Sequence, residues 1–294
     1  MKLRITALLL TLTLLFCLAG CDGGKTPERE ALPVTGPLNV AVLQVGKADA
    51  IVITTETKTL VIDAGEADDG GKVLNYLNTL GRSTVDWLLI THYDRDHVGG
   101  ADRVLNFSQV GEVIRPDYVG EREEYDLFVA DIQELEVPER VVPCGSEDFS
   151  FMMDDVKVTV NAPAKTAYTN DSGVQQDNNF SLVVTLQHGK RVFLFAGDCE
   201  DDRLAELIAS GKDLSAEFLK IPYHGNHTQF TASFIGKVHP AYAVACDSEK
   251  NPTDDETKAA LGRVGGQLYE TKDGMVVCQS DGETLTVTQT NTKE

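Results

Sequence analysis

Thr91-His92-Tyr93-Asp94-Arg95-Asp96-His97-Val98-Gly99-Gly100 sets two imidazoles and two carboxylates within six positions. The stretch follows Val85-Asp86-Trp87-Leu88-Leu89-Ile90, whose last four residues have strand character, and it closes on two glycines. Residues 97–107 read as a helix with Val98, Ala101, Val104 and Leu105 turned inward. Open α/β sheets place ligands on loops at the C-terminal ends of strands. Imidazole and carboxylate together suit divalent metals. Four such groups between a strand and a helix therefore point to a metal loop rather than a solvated polar turn.

The chain on either side alternates strands and helices. Residues 38–45, 50–55 and 59–62 are β-branched or alternating runs broken by turn residues, a meander of strands. Residues 70–80 carry Val73, Leu74, Tyr76, Leu77 and Leu80 at helical spacing, and Gly81 stops them. The region 115–138 is the least readable, with a helix-like acidic segment at 122–135. Strand signals resume at 140–142 and 156–160. A polar loop over 163–178 leads into Asn178-Asn179, and long loops in compact domains are often functional. Residues 181–186 and 191–195 read as a hairpin around His188-Gly189-Lys190, which leaves His188 exposed. A helix over 201–210, a strand over 218–221 and an alternating pattern to residue 288 follow. Strands and helices recur in both halves, which predicts an α/β architecture of two packed sheets flanked by helices.

Residues 1–20 have the form of an export leader: Lys2 and Arg4, then an apolar run too short to span a bilayer comfortably. The run ends in Leu18-Ala19-Gly20-Cys21, which resembles a bacterial lipobox and implies lipid on Cys21. Residues 21–37 read as a flexible tether and 38–294 as one domain. The expected location is outside the cytoplasm, anchored to the cell membrane through the lipid. The chain has 46 acidic and 26 basic residues, a net charge of −20. Removing the leader leaves 24 basic residues, or −22. Such a chain repels polyanions at long range, and tight nonspecific DNA binding is not expected of it. Cys144, Cys199, Cys246 and Cys278 form no CxxC pair. Cys199 reads as packing, and disulfide pairing stays open.

His92-x-Asp94-x-Asp96-His97-x-Gly99-Gly100 resembles the HxHxDH motif of the metallo-β-lactamase superfamily. Asp replaces the second His, as in the extracellular hydrolase-like domain of the ComEC competence-protein family. Leu60-Val61-Ile62-Asp63-Ala64-Gly65, Asp177-Asn178-Asn179-Phe180-Ser181 and Leu194-Phe195-Ala196-Gly197-Asp198 resemble further motifs, in family order. Lys220-Ile221-Pro222-Tyr223-His224-Gly225-Asn226 resembles Lys-x-x-His-His-Gly-Ser, departing from it at Tyr223 and Asn226.

The resemblance implies a four-layer αββα sandwich with metals at one edge. His92 and Asp94 would bind a first metal, Asp96, His97 and His224 a second, and Asp198 would bridge them. Asp96 also counts as catalytic through its metal. Asp63 would orient the metal loop, with Asn178 and Asn179 beside the ligands. His227 is either a proton donor or a plain surface residue. Two divalent ions are implied, Zn²⁺, Mn²⁺ or a mixed pair, with a bridging hydroxide as nucleophile. The first site is the richer in oxygen and the weaker for zinc. The implied activity is a nuclease or phosphodiesterase acting on a small or polymeric phosphodiester. A lactone, thioester or amide hydrolase, and a non-enzymatic envelope protein that kept the fold, are the alternatives.

Overall fold

The computed structural model describes residues 29–290. The leader and Cys21 lie outside the described residues. The first half of the domain runs β1 (Leu38–Val42), β2 (Ala50–Thr54), β3 (Thr59–Ala64), α1 (Gly70–Thr79), β4 (Thr84–Leu89), α2 (Arg95–Val98), α3 (Ala101–Phe107), β5 (Gln109–Pro116), α4 (Glu123–Glu134) and β6 (Glu139–Val142). The second half runs β7 (Phe149–Met153), β8 (Val156–Asn161), β9 (Val183–His188), β10 (Arg191–Phe195), α5 (Asp201–Ala209), β11 (Phe218–Lys220), α6 (Thr231–Val238), β12 (Tyr242–Ala245), α7 (Asp255–Val264), β13 (Gln267–Glu270), β14 (Val276–Ser280) and β15 (Leu285–Gln289). One sheet has the order β15-β14-β1-β2-β3-β4-β5-β6, the other β13-β12-β11-β10-β9-β8-β7.

Period-two alternation decides the layering. In β2, Ile51 and Ile53 face the other sheet, while Ala50 and Val52 face the helices. In β10, Phe193 and Phe195 point inward, Val192 and Leu194 outward. Both faces of these strands are buried, so they read as continuous apolar runs. One core lies between the sheets, a second under α1, α3 and α4, and a third under α5, α6 and α7. This is the αββα sandwich. Each buried large aliphatic or aromatic side chain contributes roughly 1.5–3 kcal/mol to it.

The parallel ladders β3–β4–β5 and β10–β11–β12 bring the C-terminal ends of β4, β10 and β11 to one edge of the sandwich. The loops carrying His92 to His97, Asp198 and His224 start there.

Several local expectations change. The helix read over 97–107 is broken into α2 and α3 at Gly99-Gly100. A Cβ on Gly100 would stand 2.3 Å from the Ala64 carbonyl oxygen and 2.5 Å from the Gly70 nitrogen. The glycines thus let the metal loop touch the β3–α1 turn backbone to backbone, and Gly100 N–H donates to Gly65 O at 3.0 Å. His188, expected to be exposed, is fully buried. Gly189-Lys190 alone makes the turn, and the ring bonds Ser280 Oγ at 2.9 Å and Gly36 O at 3.1 Å. Within the expected tether, residues 29–36 lie against the domain. Arg29 pairs with Asp213 at 2.8 Å, Leu32 N–H donates to Gly189 O, and Thr35 Oγ1 donates to Asp155. β5 and β7 went unread because their alternation is diluted by polar residues on half-exposed strands near one end of each sheet.

Candidate metal centre

Asp63, the last residue but one of β3, lies in the left-handed region, φ 56°. A non-glycine residue holds this conformation only when its surroundings over-determine it. Here they do. The buried carboxylate accepts Thr91 N–H and Thr91 Oγ1–H, both at 2.7 Å, and His97 Nδ1–H at 2.7 Å. Asp63 thereby ties the end of one strand to the loop that follows the next.

The hydrogen bonds place a proton on Nδ1 of two of the three imidazoles. His97 Nδ1 faces a carboxylate, which can only accept. His224 Nδ1 faces the Cys246 carbonyl at 2.9 Å, with the same consequence. His92 Nδ1 lies 3.1 Å from Thr91 Oγ1, whose proton already goes to Asp63, and 3.4 Å from Ser181 Oγ, which can donate to it. His97 and His224 therefore carry a proton on Nδ1; burial would lower both rings, but Asp198 and the other neighbouring carboxylates raise them. All three Nε2 atoms are buried and have no hydrogen-bond partner. Burial and the neighbouring His97 ring push His92 down to about 4, so it is neutral at ordinary pH.

Two of these Nε2 atoms, those of His97 and His224, face Asp198 in the turn after β10. Its oxygens lie 3.4 Å from His97 Nε2 and 2.9 Å from His224 Nε2, without hydrogen-bond alignment. Asp96 Oδ2 is 3.3 Å from His224 Nε2. Ligand atoms about 2.0–2.1 Å from a tetrahedral zinc stand roughly 3.3–3.4 Å apart. His97, Asp198 and His224 thus fit a divalent cation in chemistry and in spacing, with Asp96 beside His224 as a further donor. Burial would raise Asp198, but His224, His97 and Lys220 outweigh it and hold the carboxyl well below the usual range.

A sparser pair lies alongside. His92 Nε2 and Asp94 Oδ2 are 3.8 Å apart, and the His92 ring lies tilted against His97, centroids 4.1 Å apart. Asn178 lines the cavity beside them; its Nδ2 donates to Glu200 Oε1 at 2.7 Å and its Oδ1 has no partner. Asn179 does not share that role. Its Oδ1 accepts Arg203 N–H at the start of α5, because the short helical turn over Asp177–Phe180 directs the two side chains differently.

His227 is exposed and lines no part of the cavity at the metal centre, while its backbone N–H donates to Asp254. Of its two readings, proton donor or plain surface residue, the exposed ring favours the second. Tyr223 reaches the cavity instead, its hydroxyl bonded to Glu200, with burial first and Glu200 second pushing it up to about 12. Tyr223 and His224 sit at φ 52° and 54°, ahead of Gly225 at φ 86°. Such conformations cost about 1–3 kcal/mol each. They aim the Tyr223 ring at the cavity and the His224 ring at Asp198. Cys199 is fully buried, as its packing reading requires.

Asp49 is the functional residue the sequence did not reveal. It shares atoms within 4.8 Å with His97, Asp198 and His224, close enough to look like a fourth ligand. It stands on the wrong side, however: its oxygens approach the Nδ1 atoms of His224 and His97, at 3.5 and 3.9 Å. Its strong partner is the buried Lys220 ammonium, which also reaches Gly197 O at 2.9 Å and Asp198 Oδ1 at 3.3 Å. Burial would lower Lys220, but Asp49 and Asp198 raise it, so it stays charged. Asp49 and Lys220 brace Asp198 from behind.

Residues 43–245 match the family model of the metallo-beta-lactamase superfamily. Among curated proteins, Competence protein ComA of Neisseria gonorrhoeae is 26% identical over 243 residues, 81% of this chain and 30% of that protein. ComE operon protein 3 of Bacillus subtilis is 26% identical over 184 residues, 62% of this chain and 22% of that protein. The chain spans less than a third of the length of these relatives. A solved structure from Parabacteroides distasonis, of a protein assigned as a metal-dependent hydrolase, is similar with a TM-score of 0.50 at 15% identity, covering 82% of this chain and 99% of that one. At that identity the likeness speaks for the fold.

Proposed function

The chain belongs to the metallo-β-lactamase superfamily, and from that membership we propose that it is an exported, lipid-anchored hydrolase of phosphodiester bonds. Metal dependence rests on one observation above all: three buried imidazoles with partnered Nδ1 atoms carry Nε2 atoms that have no hydrogen-bond partner, and two of these face the buried Asp198. Asp96, His97, Asp198 and His224 would hold one divalent ion, and His92, Asp94 and Asp198 a second. Bound there, two divalent ions supply an activated water and stabilise developing negative charge. The chain's own part is to fix the ligands. Asp63 locks the His97 tautomer, Cys246 O locks that of His224, and Lys220 anchors Asp198.

The phosphodiester bond is supported by the curated relatives, named as competence and recombination proteins. The net charge of −20 favours a small or cell-envelope phosphodiester over long duplex DNA. Zn²⁺, Mn²⁺ or a mixed pair fits the donors, and the oxygen-rich pair His92 and Asp94 is the weaker for zinc.

The testing experiment loads the leaderless chain with Zn²⁺ or Mn²⁺, measures bound metal, and assays bis(p-nitrophenyl) phosphate, a lactone and single-stranded DNA. Expected are underloading at His92 and Asp94 as purified, and phosphodiesterase activity raised by Mn²⁺ above the zinc-only form. Two tight zincs in the protein as purified, with no gain from Mn²⁺, would refute the metal assignment. Preference for the lactone would refute the substrate. Anchoring is tested by Cys21→Ser, which should block lipid attachment; unchanged processing and membrane fractionation would refute it.

A further inference from the structure

A cavity of about 310 Å³ opens over the metal centre, reaching Asp94, Asp96 and Asp198. Three cationic side chains line it, each from a different segment: Lys47 from the β1–β2 turn, Arg95 from the first turn of α2, and Arg122 from the loop before α4. The overall charge is −20, and most buried or half-buried arginines of the described residues are bound to carboxylates or carbonyls. The three heads at the cavity are held more loosely, Arg95 and Arg122 being exposed and making only long ion pairs. Among the described residues none of them donates a hydrogen bond. Arg95 comes no closer than 3.6 Å to Glu66, and Arg122 no closer than 3.8 Å to Asp94. The Lys47 ammonium has no carboxylate partner and rests over the Tyr223 ring, 5.6 Å from its centroid.

The charge balance gives these heads a purpose. Four carboxylates face the same cavity: Glu66, Asp94, Asp96 and Asp198. Divalent ions on the last three would cancel them and leave three cations against Glu66 alone, with Arg122 released from Asp94. An anion entering the cavity would then find unused donors on several sides, in a cleft whose walls focus the field. A neutral lactone or amide would gain nothing from them.

We infer that Lys47, Arg95 and Arg122 form an anion clamp that holds the non-reacting oxygens of a small phosphodiester over the metals and selects against neutral electrophiles. The inference rests on the phosphodiesterase reading and names the residues that set its specificity. Arg122 and Arg95 offer planar forks suited to phosphate oxygens, and Lys47 a compact point charge.

The test uses the metal-loaded, full-length chain with Lys47→Gln, Arg122→Gln, the double variant, and Lys237→Gln on exposed α6 as a charge-matched control. Inorganic phosphate is titrated calorimetrically, and KM is measured for bis(p-nitrophenyl) phosphate and for a neutral p-nitrophenyl ester. Losing a charge-assisted hydrogen bond should weaken phosphate binding about tenfold per single variant and roughly 100-fold in the double variant. Selectivity for the phosphodiester over the neutral ester should fall in step, with metal content and thermal midpoint as in the wild type. The clamp is overturned if the double variant binds phosphate within about threefold of wild type, if Lys237→Gln loses as much, or if lost affinity follows lost metal. If the wild type hydrolyses no phosphodiester and phosphate affinity still falls in the variants, the clamp stands and the phosphodiesterase reading fails.

Discussion

Replacing Asp63 by Asn changes one atom of the side chain and should cost the centre much of its metal. Asp63 Oδ1 takes Thr91 N–H, while Oδ2 takes both Thr91 Oγ1–H and His97 Nδ1–H. In the variant the amide oxygen must stay on the Thr91 N–H, because two N–H groups cannot face each other. The amide NH₂ then occupies the Oδ2 position. Thr91 can rotate its hydroxyl and accept, but His97 cannot accept at Nδ1 while that nitrogen holds the proton. Either the bond is lost, or the proton moves to Nε2 and caps the lone pair meant for metal. A hydrogen bond to a charged group is worth about 1.5–3 kcal/mol. That converts to roughly 10–100-fold in metal affinity, the range typical of groups that orient a ligating His. The assay is competition with a chromophoric chelator, with ¹⁵N imidazole shifts reporting the tautomer and kcat measured at saturating metal. Metal affinity within threefold of wild type, with His97 still protonated on Nδ1, would refute the reasoning.

Asp198→Ala should abolish hydrolysis and empty the site of Asp96, His97 and His224; retained metal content and activity would show that Asp198 is not shared between ions. Lys220→Met leaves Asp49 and Asp198 buried without their cation and should cost about 3–5 kcal/mol, the penalty for breaking a buried pair, read by urea unfolding of the metal-free protein; an unchanged midpoint would refute the bracing role. His227→Ala should leave kcat/KM within about threefold, because its ring is exposed and its backbone bond to Asp254 survives; a hundredfold loss would restore it as proton donor. Asp94→His should shift metal preference towards zinc, read by competitive loading, since imidazole favours zinc over carboxylate; an unchanged Zn²⁺/Mn²⁺ ratio would exclude Asp94 as a ligand.

The metal loop was legible because local spacing carries it: His92, Asp94, Asp96 and His97 lie on one short turn between a strand and a helix. Asp198 and His224 were legible through resemblance, each at the end of an apolar strand. Asp49 was not, for a physical reason. A single Asp in Gly46-Lys47-Ala48-Asp49 has no spacing partner. Only sheet order brings β1 and β2 beside β3 and β4, so that Asp49 N–H donates to Asp96 O and Gly65 N–H donates to Asp49 O. His188 failed from the opposite cause. Its neighbours Gly189 and Lys190 carry a strong turn signal, and what buries the ring is Gly36 and Ser280, far away in sequence. The αββα class survived these misses because it depends on the two-residue period of whole strands, which no single residue can overturn.

The departures from the family's last motif follow the same division between local and distant causes. Tyr223 replaces a histidine immediately before His224, and by position alone it could be taken for a lost ligand. In the fold it is the residue that closes one wall of the cavity. Its left-handed backbone is held by His224 Nδ1–H on Cys246 O on one side and by its own hydroxyl on Glu200 on the other. Glu200 in turn receives Asn178 Nδ2. Tyr223, Glu200 and Asn178 thus form a chain from the His224 loop to the Asp94 side of the cavity. With Lys47 over the Tyr223 ring, that chain also positions a cation of the mouth. A histidine at 223 would shorten the reach to Glu200 and remove the ring beneath Lys47, so the substitution changes how the cavity meets its substrate more than how the centre holds its metal.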